Sequence, residues 1–175
     1  PKKDIGGGVT LGIGSISPDG GQLQRGELGV SVGHFFAKSL VGISLGAQGL
    51  ASWTGGESHP DPSFYFAVTK GFPDVALPIV ATWGFGNNYY RFHRSNSGKS
   101  DTAQVGVFAS VGVYLAPQVS FVADYTGGVT TLGFSIVPMP KVPFQINLAA
   151  WDVFSYFPDH PQTSFQGSVA YAWTF

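Results

Sequence analysis

TAQVGVFASVGVYLAPQVSFVA, residues 102–123, is the most apolar stretch of the chain and the one whose reading decides the fold. Its length suits a membrane-crossing helix, but such a helix needs about 18 or more predominantly apolar residues without a break. Pro117 interrupts it, and the residues alternate. Val105, Val107, Ala109, Val111 and Val113 share one parity, and Gln104, Gly106, Phe108, Ser110 and Gly112 share the other. A period of two places successive side chains on opposite faces of a strand. The stretch therefore reads as two strands joined at Leu115–Gln118.

The same period recurs in both directions. Upstream, Val9, Leu11 and Ile13 oppose Gly8, Thr10, Gly12 and Gly14, and Leu28, Val30 and Val32 oppose Glu27, Gly29, Ser31 and Gly33. Val41, Ile43, Leu45 and Ala47 then oppose Gly42, Ser44, Gly46 and Gln48. Phe64, Phe66 and Val68 oppose Tyr65, Ala67 and Thr69; Ile79, Ala81, Trp83 and Phe85 oppose Val80, Thr82, Gly84 and Gly86. Downstream, Val119, Phe121 and Ala123 oppose Ser120, Val122 and Asp124, and Leu132, Phe134 and Ile136 oppose Thr131, Gly133 and Ser135. Phe144, Ile146 and Leu148 oppose Gln145, Asn147 and Ala149; a last segment runs from Phe165 to Phe175. The count is about ten strands, with eight or twelve as the alternatives.

The connections alternate in length. Long polar stretches, Ser17–Arg25, Ser52–Pro62, Asn87–Asp101 and Asp152–Thr163, follow strands one, three, five and nine. Tight links, Ala37–Ser39, Gly71–Pro78, Leu115–Gln118 and Pro138–Pro143, follow the even strands, and Gly127–Gly128 breaks the rule by being short. All 175 residues fit one domain, an up-and-down antiparallel barrel.

Which face points outward follows from composition. Charged residues are only 11% of the chain, and a soluble surface wants about 25–35%. The polar face is mostly Gly, Ser, Thr, Ala and Gln, too small and neutral for the outside of a soluble protein. The β-branched and aromatic face suits lipid, and closing the sheet satisfies every backbone N–H without an edge. The expectation is therefore an all-β transmembrane barrel. Aromatics gather at strand ends, as interface girdles do. Trp53, Phe64, Tyr89, Tyr90, Phe92, Trp151, Phe154, Tyr156 and Phe157 stand on the long-loop side; Phe35, Phe36, Phe72, Tyr114, Trp173 and Phe175 stand on the other.

Nine Lys and Arg against ten Asp and Glu give a net charge of −1 with no basic block, which leaves nucleic acid no electrostatic footprint. With no cysteine there are neither disulfides nor thiolate metal sites, as suits an oxidising compartment. His34, His59 and His160 stand apart from convergent ligands, so neither a metal nor a cofactor is expected.

The final strand carries a resemblance. Val169, Tyr171, Trp173 and Phe175 place apolar or aromatic residues at alternate positions and end in Phe. This resembles the C-terminal signature of bacterial outer-membrane β-barrel proteins. The resemblance implies recognition by the barrel-assembly machinery, an outer-membrane location and both termini in the periplasm. Exported chains carry a leader; none precedes Pro1, so the signal peptide is expected to be absent from this chain.

A second, local resemblance lies in the loop after strand five. His93-Arg94-Ser95-Asn96 is similar to the His-x-Ser-Asn element of outer-membrane lipid A 3-O-deacylases, which implies His93 as base and Ser95 as nucleophile. In that family a Glu on the following strand orients the His; this chain offers Gln104 there, and Asp101 is the only acid nearby. The same loop offers Arg91, Arg94 and Lys99 as partners for lipopolysaccharide phosphates.

The interior holds the broader functional expectation. Glu27, Gln48, Thr82, Gln104, Asp124 and Asn147 would line the lumen among many glycines, with Lys70 at or near a mouth. Gly leaves volume. Three outcomes stay open: a narrow water-filled path, a lumen filled by a segment of a partner, or a sheet coiled tightly enough to leave no space. Two functions lead: a structural or accessory outer-membrane subunit of a larger envelope assembly, and a narrow pore for small solutes. Lipid, lipopolysaccharide, the assembly machinery and other envelope proteins are the expected partners. The deacylase-like hydrolase is a third reading.

Overall fold

The computed structural model describes residues 5–14, 25–53, 61–91, 105–139, 141–154 and 163–174. They form ten strands: β1 (Ile5–Gly14), β2 (Arg25–Phe36), β3 (Val41–Trp53), β4 (Ser63–Phe72), β5 (Ile79–Gly86), β6 (Gly106–Ala116), β7 (Val119–Thr126), β8 (Val129–Ile136), β9 (Phe144–Trp151) and β10 (Ser164–Thr174). A single 3-10 turn, Asn88–Tyr90, follows β5. Each strand pairs antiparallel with its sequence neighbour, and β1 pairs with β10, so the sheet closes. Ten is the number that the alternation gives. The eight- and twelve-stranded alternatives fall away.

Register carries the alternation around the barrel without a slip of face. Direct partners run Thr69–Thr82–Ser110–Asp124–Thr131 across β4 to β8. A second row runs Glu27–Gly12–Ser168–Asn147–Ser135–Ser120 across β2, β1, β10, β9, β8 and β7. Both rows belong to the small polar face. A one-residue slip anywhere would break them, because it turns every side chain of a strand over.

Two irregularities interrupt the ladder: the first keeps that parity, and the second slips by one residue only at the terminal pair Ala116–Val119. Between Leu28 and Val30 the register jumps from Ala51 to Ala47, so Gln48–Leu50 face Gly29 alone. Gly49 absorbs this bulge at φ 69°. A second shift lies between Tyr114 and Ala116, next to the tight β6–β7 turn. Bulges bend a strand, and Gln48, still in register with Ser63 of β4, keeps the inner-face parity of Ser44 and Gly46.

The apolar face is outside. Leu45 is 59% exposed, Phe85 51%, Val107 58% and Leu148 49%. Among the described residues, the only buried apolar side chains are Ala47, Ala67, Tyr90 and Val129. The usual inward core of a soluble domain is thus replaced by an outward apolar band. Ten strands spaced about 4.8 Å apart and tilted about 40° give a backbone cylinder about 20 Å across. That is wide enough for interior side chains to leave space where the wall is glycine.

Candidate functional site

The site is the lumen and its long-loop mouth. Its central feature is the segment Asn87–Arg91, which leaves the end of β5 and turns into the barrel. Short polar side chains compete for backbone partners and favour such turns. Here Asn87 Oδ1 accepts the Phe64 N–H at 2.7 Å, and Asn88 Nδ2 donates to the Pro62 carbonyl at 2.7 Å. The Tyr89 N–H donates to Ser63 Oγ at 3.0 Å. Asn88 itself takes φ 43°, a left-handed conformation that Asn tolerates.

This stitching drives Tyr90 inward, where it is only 5% exposed. Its hydroxyl donates to Gln48 Oε1 at 2.6 Å. Its ring lies 4.6 Å from Phe108 and 5.6 Å from Tyr65, centroid to centroid. Tyr65 and Phe108 meet at 6.1 Å, edge to face. Three rings from β4, the turn and β6 thus form one cluster inside the barrel.

Glycines are its seats. A Cβ at Gly46 would fall inside the Tyr65 ring, one at Gly84 would strike Phe108 and the Phe66 carbonyl, and one at Gly86 would strike Tyr90. The interior is therefore partly filled by the chain's own aromatics. Tyr90, expected in the interfacial girdle, is instead a lumenal plug residue. Periodicity could not have found it, because residues 87–91 are not a strand and Gln48 lies 42 positions away.

The space left over lies mainly on the other flank. One cavity of about 360 Å³ is lined by Thr10, Gly12, Glu27, Gln48, Ser52, Tyr89, Asn147, Ala149, Gln166 and Ser168, among others. A second, about 380 Å³, lies toward the tight turns and includes Thr82, Ser110, Ser120, Ser135, Gln145 and Asn147 in its wall. Asn147 borders both. It accepts from Gln145 Nε2 at 2.7 Å and donates to Ser168 Oγ at 2.9 Å, which fixes its amide between the two spaces. A third cavity, about 300 Å³, adjoins the first at Glu27, Gln48 and Tyr89 and adds Asp61 and Arg91.

Of the residues singled out from the sequence, Glu27, Gln48 and Asn147 meet around the first cavity. Thr82 shares a 2.9 Å hydroxyl contact with Thr69 and borders the second cavity. Asp124, in the same row as Thr82, accepts from Thr126 Oγ1 at 2.8 Å. Lys70 lies near the short-turn end, where its ammonium donates to the Ser39 carbonyl and stands 5.9 Å from the Phe72 ring centre. His93, Arg94, Ser95, Lys99, Gln104 and Phe175 lie outside the described residues, so the hydrolase element acquires no geometry.

Electrostatics at the mouth follow from enclosure. Desolvation pushes the Tyr89 hydroxyl up to about 12, and the Glu27 and Asp124 charges add to the shift. Its ring still keeps 49% of its area open, because it borders the cavities. Tyr90 rises further, chiefly by desolvation and then by the charges of Tyr65, Tyr89, Glu27 and Asp124. Both phenols are hydrogen-bond donors throughout the neutral range. Among the described residues no group of three His, Cys, Asp or Glu stands close enough together to hold a metal ion.

Asp152 is a residue that sequence reasoning left as the start of a loop. It is 1% exposed, with φ 54°, at the end of β9. The adjacent Val153 N–H donates to the Thr130 carbonyl of β8 at 3.1 Å, extending the pairing past the last strand residue. Neither protein-family models nor curated proteins give a match to this sequence.

Proposed function

We propose that the protein is an integral outer-membrane β-barrel acting as a structural or accessory subunit of a larger envelope assembly. The observation that carries this reading is the internal plug. Tyr65, Tyr90 and Phe108 occupy the β4–β6 side of the lumen, and Tyr90 is tied to Gln48. A barrel evolved to conduct freely has little use for a turn stitched across its mouth. One that must keep its shape in lipid gains from cross-braces between β3, β4 and β6. The outward apolar band and the likeness of β10 to the outer-membrane signature support the membrane location.

A narrow pore is the second reading, favoured by one observation: a cavity beside the plug and a second one toward the tight turns meet at Asn147. The two readings part in a planar bilayer. A braced structural barrel gives no stable unitary current as the wild type, whereas Tyr90→Ala removes the brace and produces steps. Regular steps from wild-type protein would overturn the structural reading. The assembly itself is tested by extraction of native membranes in mild detergent, where the chain should migrate with a defined set of envelope proteins. Recovery as a lone monomer at every detergent concentration would count against it.

A further inference from the structure

The cavity between Glu27 and Gln166 is more than leftover volume. Small-molecule pockets run about 300–1,000 Å³ with a few placed polar groups, and about 360 Å³ lies at the single-ring end of that range. Its wall is unusually rich in hydrogen-bonding groups for so small a space: the Glu27 carboxylate, the Gln48, Asn147 and Gln166 amides, the Ser52 hydroxyl and the Tyr89 ring.

Their existing partners divide them. Gln48 Oε1 is taken by Tyr90, and the Asn147 amide by Gln145 and Ser168, so these two are held in place. Glu27, Ser52 and Gln166 have no hydrogen-bond or ion-pair partner among the described residues. Glu27 packs over Gly12, where an added Cβ would stand only 3.1 Å from the Glu27 Cγ. A carboxylate enclosed by protein with no counter-charge favours a cation as its partner. An exposed tyrosine face adds attraction for an ammonium group. Fixed amides and a hydroxyl match donors and acceptors on a polyol.

We propose that this cavity is a binding site for a small hydroxyl-rich solute carrying an ammonium group, of the amino-sugar class. Glu27 meets the ammonium, and Ser52, its direct partner on β3, and Gln166, two strands away on β10, meet hydroxyls along the same flank. Asn147, held by its neighbours, sets the floor. The site requires a folded barrel but neither conduction nor assembly, so it holds for a structural subunit and a pore alike.

Titration calorimetry on the full chain in detergent tests it with three six-membered-ring probes of different charge: glucosamine, glucose and glucuronate, at neutral pH. Glucosamine should bind about tenfold or more tighter than glucose, a difference of about 1.4 kcal/mol, and glucuronate should not bind. Glu27→Gln should bring glucosamine down to the glucose level, while Glu27→Asp keeps the preference. Gln166→Leu, on β10, should weaken glucosamine and glucose alike. Each variant is first shown to be folded by its β-sheet circular dichroism. Equal binding of all three probes, no binding of any, or an undiminished preference in folded Glu27→Gln overturns the proposal. Absent bilayer currents do not bear on it.

Discussion

Gly46 shows how a single missing methyl shapes the lumen. Its partner across the β3–β4 ladder is Tyr65, whose ring lies where a Cβ would stand. Gly46→Ala should force the ring out of that seat, at the cost of overpacking, about 1–3 kcal/mol. Because the obstacle is a side chain, Tyr65→Leu in the same molecule should recover part of the loss, which urea unfolding in micelles would read. Tyr90 offers a finer dissection. Tyr90→Phe removes only the bond to Gln48, about 1 kcal/mol, whereas Tyr90→Ala empties the ring site, about 3–5 kcal/mol. The phenols also set an alkaline limit. Unfolded tyrosines ionise near 10, but folded Tyr89 holds its proton to about 12 and Tyr90 beyond the usual range. Above pH 10 the unfolded chain therefore sheds protons that the folded one retains, and stability falls as pH rises. Below that these two groups contribute no pH dependence. An unfolding midpoint that is flat to pH 10 and declines above it, with a shallower decline in Tyr90→Phe, is the expected result; a decline equally steep without the Tyr90 hydroxyl would contradict it.

At the scale of elements, the strands were readable and the in-turned segment was not. Val105 to Val113 and its nine counterparts alternate because each strand has one face turned outward, where apolar side chains stand, and one on a small interior, and that difference is written at every second residue. The β7–β8 link was equally plain. Gly127 and Gly128 adopt φ 61° and 94°, the positive pair that a two-residue hairpin needs to match strand twist. Residues 87–91 follow different physics. Their position depends on Pro62, Ser63 and Phe64 at the start of β4, the strand paired with β5, and on Gln48 of β3. No local pattern encodes partners that far apart. The glycines were expected to leave volume on the inner face, but the chain's own rings take part of it, and which ring claims Gly46, Gly84 or Gly86 depends on three-dimensional register. The two kinds of element meet at Gly127, where an added Cβ would come within 2.8 Å of the Arg91 carbonyl. Gly128→Ala should therefore cost about 1–2 kcal/mol of left-handed strain alone. Gly127→Ala should cost more, because it also displaces the turn that carries Tyr90. Comparing the two by thermal melting, with Tyr fluorescence as a second probe, separates strain from displacement: only Gly127→Ala should change the fluorescence of the folded state.

For the whole molecule, the arrangement of surfaces makes a claim that any aqueous barrel would fail. Leu45 is 59% exposed on the outer face of β3, whereas its neighbour Ser44 shares the inner face with Ala67 and Gly33. If the outer band meets hydrocarbon, a charge at Leu45 must be carried into lipid. An arginine on the lipid face of a transmembrane barrel costs about 2–4 kcal/mol near the midplane and about 0–1 kcal/mol near the interfaces. In water the same substitution on an exposed side chain would be nearly neutral, within about 0.5 kcal/mol. The discriminating experiment is therefore refolding into lipid vesicles, with Leu45→Arg compared against Leu45→Ala. The arginine variant should lose the larger amount, and its penalty should shrink when the same pair is compared in short-chain detergent micelles, where the head group can reach water. Phe36→Arg, at the last residue of β2 beside the tight β2–β3 turn, supplies the depth control: near an interface its penalty should be the smaller of the two. Equal stability of Leu45→Arg and Leu45→Ala in vesicles would mean that the apolar band does not face lipid, and the outer-membrane reading would fall with it, although the closed ten-stranded barrel would stand.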